Sequence, residues 1–179
     1  MCGIVGIYLK TKKFEKNLGK MLSGMLNNME SRGPDSAGFA IYKNSDKKEY
    51  KYSLCINNLD FTKFQKDISK KIINLKLNQY SDHVIVKTTE IPKKFLNFIN
   101  KEFPEVSVVG YGHSIEIFKQ VGNPKDVVKK FNLESFSGTH GIGHTRMATE
   151  SAITTDGSHP YSTGEDECLV HNGSLSNHN

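Results

Sequence analysis

A cysteine at position 2 is followed at once by a short apolar, β-rich run, CGIVGIYL. That run reads as a buried strand, although its pattern alone leaves a helical start open. The run ties the N-terminus to the core and brings a thiol with it. If the initiator methionine is removed, Cys2 offers a thiol and a free α-amine on one residue. A free thiol with a pKa near ~8.5 is mostly protonated at neutral pH. An α-amine titrating near ~7.7–8.0 is a competent base there, and an N-terminal amine can activate the nucleophile beside it. The other reading of Cys2 is a plain core cysteine of the first strand.

The next segment, FEKNLGKMLSGMLNNMES, spaces Leu18, Met21, Leu22, Met25, Leu26 and Met29 for one face of a helix. Its methionines read as core rather than as a cofactor box. Gly and Pro in SRGPDS end the helix. AGFAIYK and EYKYSLCI then read as strands. Residues from about 57 to 135 carry much secondary structure and almost no chemistry. FTKFQKDISKKIINL, PKKFLNFINKEF and PKDVVKKF read as helices, and DHVIVKTT, VSVVGY and SIEIFKQ as strands. The stretch is expected to be an inserted α/β subregion of a single domain spanning 1–179. From 138 onward the texture turns to Gly, Thr and His, and short strands with polar loops are expected to bring this chemistry to one sheet edge.

At 179 residues the chain can bury a sizeable core. No segment approaches 18 continuous apolar residues, so no membrane span is expected. Cys2, Cys55 and Cys168 form neither a metal spacing nor a disulfide framework, which fits a reducing cytoplasm. The net charge of +5 comes from lysines scattered along the chain, not from a basic patch interleaved with aromatics, and no nucleic-acid partner is expected. Only Arg32 and Arg146 use the planar, bidentate guanidinium.

Arg146, in GHTRMAT, suits bidentate capture of a carboxylate; a surface ion pair is the plainer reading. Asn172 and Gly173, in HNGSLSN, pair a side-chain amide with a backbone N–H, a donor set suited to a tetrahedral oxyanion, or else form a simple Asn-Gly hairpin turn. Arg32 and Asp35 flank the Gly-Pro turn of SRGPDSAG and read as supports for the nucleophile's loop. His140 and His144 lie four apart on a predicted strand, about 13 Å from each other and too far for one ion. No metal and no cofactor are expected, and neither a phosphate-binding loop nor a dinucleotide fingerprint occurs.

In this order, N-terminal Cys, RGPDSAG, GHTRMAT and Asn-Gly after a strand, the chain resembles the class II glutamine amidotransferases, which are N-terminal-nucleophile hydrolases. The likeness covers about residues 1–42 and 138–179, and the long spacer and GHTRMATESAITT look most similar to the glutamate-synthase-type branch, including the amidotransferase subunit of N-methylglutamate synthase. The resemblance implies an α+β fold, a four-layer αββα sandwich, with L-glutamine as substrate. It implies Cys2, Asn172 and Gly173 in catalysis, with Arg146, Thr149 and His171 at the substrate. Arg32, Asp35 and His144 would stand behind them. Ammonia would pass to a synthase subunit or domain. Met147 and Glu150 depart from relatives that carry an aromatic residue and a histidine there. The aspartate expected downstream of Asn-Gly for the glutamine α-amine is not matched by Asp156 or Asp166, which lie upstream. The chain stops six residues after Gly173, so a truncated C-terminus is expected. Two other functions fit the same residues: a non-catalytic glutamine-binding or regulatory subunit, and another N-terminal-nucleophile amidohydrolase.

Overall fold

Two four-stranded antiparallel sheets carry most of the chain in a computed structural model, which describes residues 1–45, 47–57, 59–148 and 152–173. The first sheet runs in the order β1 (Gly3–Tyr8), β8 (His140–Arg146), β2 (Ser36–Tyr42), β7 (Ile115–Val121). Helix α1 (Leu18–Asn28) lies on it. Leu18, Leu22 and Leu26, all fully buried, pack against Val5, Ala37, Phe39, Ile41 and Phe118. Burial of each leucine contributes about 1.5–3 kcal/mol. Gly143 on β8 makes room for the helix: a Cβ there would stand 2.9 Å from both Leu26 and Val5 side chains. The methionines Met25 and Met29 sit at the border of this core, partly buried.

The second sheet runs β4 (Lys76–Tyr80), β5 (His83–Thr88), β3 (Tyr50–Cys55), β6 (Ser107–Gly112). Phe64 and Ile68 of α2 (Phe61–Ser69) and Phe95 and Ile99 of α3 (Pro92–Glu102) pack with its Tyr52, Leu54, Val84 and Val86. A third cluster joins the sheets: Ala40, Ile115 and Ile117 of the first meet Cys55 and Val109 of the second. Ser53 Oγ on β3 also accepts the Ile117 N–H at 2.9 Å. The stretch 57–135 therefore feeds both sheets, because β7 and α4 (Pro124–Lys130) join the first. The chain is a mixed α/β protein with antiparallel sheets, compatible with an α+β sandwich.

The helix expected from Phe14 begins as a 3₁₀ turn, Lys12–Asn17, and becomes α-helical only at Leu18. The Gly19 N–H is drawn away to Phe136 O at 2.9 Å, and Glu15 O receives the Gly138 N–H at 3.0 Å. Strand β4 went unseen in the pattern. A ribbon of β9 (Tyr161–Gly164) and β10 (Glu167–Leu169) closes the described chain. Asp166 at its turn accepts from His113 N, Ser114 N, Ser114 Oγ and Ile115 N at 2.7–3.0 Å, which fastens the ribbon to the β6–β7 connection. Burial opposes ionisation of Asp166, but these hydrogen bonds hold its carboxyl below the ordinary value.

Candidate active site

Strand register sets the level of the site. In the β1–β8 ladder Gly3 faces Thr145 and Ile4 faces His144, so the next step sets Cys2 across from Arg146. On the other flank of β8, Ser36 faces Arg146. Residues opposite each other in a ladder share a face. Gly141, Gly143 and Thr145 face α1, so His144 and Arg146 point to the other side. The expected chemistry sits at the end of β8, which is an interior strand, beside the edge strand β1.

Cys2 is half-buried, and its carbonyl is where several segments meet. Asn172 Nδ2 donates to Cys2 O at 3.1 Å, and Arg32 Nε lies 3.5 Å from the same oxygen. Cys2 Sγ is 3.9 Å from Met147 O. The Met1 ammonium lies 2.9 Å from Met147 Sδ. Residues 1–3, 32, 147 and 172, far apart in sequence, thus converge.

The RGPDS turn is seated against the end of β8. The Asp35 N–H donates to Arg146 O at 3.1 Å, and Asp35 Oδ2 accepts the Ala148 N–H at 2.7 Å. Gly33 lies so close that a Cβ there would collide with the Thr145 and Arg146 backbone. Arg146 is nearly buried and donates from NH1 to Ala152 O at 3.2 Å. Thr145 Oγ1 donates to Met29 O at 3.2 Å.

His144 is fully buried, and its Nε2 lies 3.0 Å from His171 O. A carbonyl only accepts, so Nε2 carries the proton. The His159 ring lies 4.2 Å away, centroid to centroid. Burial pushes His144 down to about 4, with Arg146 adding to the effect. Burial, then His144, Lys119 and Arg146, pushes His159 down to about 3. Both rings are neutral at neutral pH. Lys119 is itself pushed down by burial and donates to Asp156 O and Ser158 O at 2.9 and 3.0 Å.

The expected residues fall into linked groups: Arg32 and Asn172 meet at Cys2, His144 meets His171 just before Asn172, and Asp35 meets the Arg146 backbone. Gly173 follows Asn172, and Thr149 and Glu150 lie outside the described residues. His140 is not part of the cluster; it stacks on Tyr42 at 4.1 Å. Two neighbours, Thr145 and Ser36, went unnoticed in the sequence, and a third, His159, was weighed there only as a metal ligand. Thr145 and His159 are held as described, and Ser36, fully buried beside Arg146, has an Oγ with no partner among the described residues. Among the described residues the trio with converging metal-ligand atoms is Cys55, Asp82 and His83, within 4.8 Å of one another. Asp82 there already holds Lys130 and Gln120. Among the described residues no helix is long and apolar enough to cross a membrane.

The arrangement sets an amide donor against the Cys2 backbone, with a nearly buried arginine at the end of the adjoining strand. No family model matches the chain. It is 47% identical over 182 residues to the glutamine amidotransferase-like protein GlxB of Rhizobium meliloti, a match covering 100% of this chain and 60% of that one. It is 33% identical over 193 residues to a putative glutamine amidotransferase of Methanothermobacter thermautotrophicus, covering 99% of this chain and 63% of the relative. A shorter match, 42% over 66 residues, links 36% of the chain to 11% of a glutamine–fructose-6-phosphate aminotransferase (isomerizing) of Methanococcus maripaludis. The chain spans about 60% of the length of the two relatives that it matches end to end. The chain is thus similar, along nearly its whole length, to proteins named as glutamine amidotransferases or as glutamine amidotransferase-like.

Proposed function

We propose that the chain is the glutamine-hydrolysing portion of an amidotransferase that feeds ammonia to a synthase, of the glutamate synthase or N-methylglutamate synthase type. The observation that carries this reading is the Asn172 amide donating to the backbone of Cys2, across 170 positions of sequence. The two sheets with their outer helices then form the inner and outer layers of an αββα sandwich of the N-terminal-nucleophile type, and the stretch 57–135 is an elaboration of it.

In this reading Met1 is removed and the Cys2 α-amine takes the thiol proton. The thiolate attacks the side-chain amide carbonyl of L-glutamine. The tetrahedral oxyanion receives hydrogen bonds from the Asn172 side chain and the Gly173 N–H. The α-ammonium gives its proton to the leaving ammonia as the C–N bond breaks, and a thioester remains on Cys2. Water, with the amine again as base, releases glutamate and restores the thiol. Arg146 holds the substrate α-carboxylate with its fork of donors, beside Thr149 and His171. Arg32 and Asp35 keep the Cys2 and Met147–Ala148 segments in place.

Ammonia release from L-glutamine by the full-length protein tests this. Cys2→Ala is expected to reduce it to background. Retained release in that variant, or none in the wild type with its partner present, refutes the assignment.

A further inference from the structure

The last three residues of β8 each hold a different piece of the site. Thr145 Oγ1 donates to Met29 O at the end of α1. Arg146 takes the Asp35 N–H on its carbonyl and donates from its side chain to Ala152 O. His144 Nε2 donates to His171 O, the carbonyl immediately before Asn172. That third contact has a particular geometric consequence. The His171 C=O shares one planar peptide unit with the Asn172 N and Cα. Fixing the carbonyl therefore fixes the plane from which Asn172 starts, leaving its φ, χ1 and χ2 to aim the amide.

The seat of His144 is itself closed. Its ladder partners are Ile4 and Gly38, and a Cβ at Gly38 would run into His159 O. The ring of His159 covers it at 4.2 Å. Arg146 from β8, Lys119 from β7, and His159 and His171 from the C-terminal segment are the charged or titratable groups around it. Burial above all, with Arg146 adding to it, disfavours a second proton, so the ring keeps one N–H and gives it to His171 O. Its Nδ1 is buried with no partner among the described residues.

We propose that His144 is a positioning residue that sets the oxyanion donor, holding Asn172 against the nucleophile through the His171 carbonyl while touching neither substrate nor reacting atoms. The proposal rests on the glutaminase reading for its kinetic consequence, but the contact itself is independent of it. An oxyanion donor matters only as charge develops, so displacing it lowers kcat and leaves glutamine binding nearly intact. A carboxylate-binding group such as Arg146 has the opposite signature.

The test compares His144→Leu, which fills the seat without a donor, with His144→Gln, whose side-chain amide can donate from the position of Nε2. In the full-length protein H144L is expected to lower kcat for ammonia release about 100-fold with KM within about 3-fold, and H144Q to recover to within about 5-fold of wild type. A loss carried by KM, or H144Q no better than H144L at equal thermal stability, overturns the role. The ¹H–¹⁵N signal of the Asn172 side-chain amide is read in the same proteins without turnover. It should shift in H144L and return in H144Q; an unmoved signal in H144L overturns the positioning role whatever the kinetics. A wild type that releases no ammonia sinks the glutaminase reading alone, and the amide signal still decides the contact.

Discussion

Gly33→Ala is a small change with a large expected effect. Gly33 has φ −161° and ψ 83°, which alanine can adopt, so the cost is purely steric. An ideal Cβ at this position lies 2.6 Å from both Arg146 N and Thr145 O. Both are backbone atoms, which cannot swing aside as a side-chain tip would. Thr145 C is closer still, so restoring ordinary contact near 3.4 Å requires the turn and β8 to part by about 1 Å. That separation stretches the Asp35 N–H···O contact from 3.1 Å and the Ala148 N–H···Oδ2 contact from 2.7 Å towards the limit of bonding range. A neutral hydrogen bond contributes about 1 kcal/mol and one to a carboxylate about 1.5–3 kcal/mol. Overpacking alone costs about 1–3 kcal/mol. With the two bonds weakened rather than lost, a combined loss of about 2–4 kcal/mol is expected, and urea denaturation at pH 7 would read it as a lowered midpoint with an unchanged slope. The matched control is Gly24→Ala. Gly24 lies in α1 with open space around its missing Cβ, so alanine there should stabilise by up to about 1 kcal/mol. A Gly33→Ala loss below about 0.5 kcal/mol would refute the claim that the turn is clamped to β8.

Other perturbations discriminate among the remaining contacts. Arg146→Lys replaces a fork with a point charge and should raise KM for glutamine tenfold or more in the full-length protein, as steady-state kinetics would show; an unchanged KM removes Arg146 from the carboxylate site. Asp166→Ala strips four hydrogen bonds from the 113–115 backbone and Ser114, and should cost about 3 kcal/mol in chemical denaturation. Because His144 and His159 sit below their unfolded values, at about 4 and about 3, the unfolded chain binds protons that the folded chain refuses. Stability should therefore fall as pH drops from about 6.5 towards 5, and the decline should be shallower in His159→Gln; parallel declines in urea midpoints would refute that origin.

Elements with a strong apolar period were legible before any coordinates. The Leu18–Leu22–Leu26 stripe is one example; the run from Gly3 to Tyr8 is a strand as read, but an edge strand with Ile4 and Tyr8 exposed rather than a buried one. Strand β4 was not legible, because KLNQY has a single apolar residue on each face, Leu77 and Tyr80, and its place comes from pairing with β5 at the sheet edge. The late start of α1 was hidden for a related reason: the Gly19 N–H goes to a carbonyl more than a hundred residues away. At the site, residue type pointed to Cys2, Arg146 and Asn172, each with a chemistry of its own. Ser36, Thr145 and His159 are ordinary residues whose relevance comes only from register and from the packing of the C-terminal segment over β8. The fold places the histidine four residues before Ala148 beneath that segment, which no spacing rule would suggest.

The Cys2–Asn172 contact also orders events in time. Residue 2 leaves the ribosome among the first, and its amide partner 170 residues later. At about 5–20 residues per second, the thiol waits on the order of ten to thirty seconds before its partner can reach it. The Cys2–Asn172, Asp35–Ala148 and Met29–Thr145 contacts each close a loop of more than a hundred residues, which comes late in folding. A nascent or half-folded chain therefore carries Cys2 without its Asn172 contact, and under the proposed function glutamine hydrolysis would wait until Asn172 has been made.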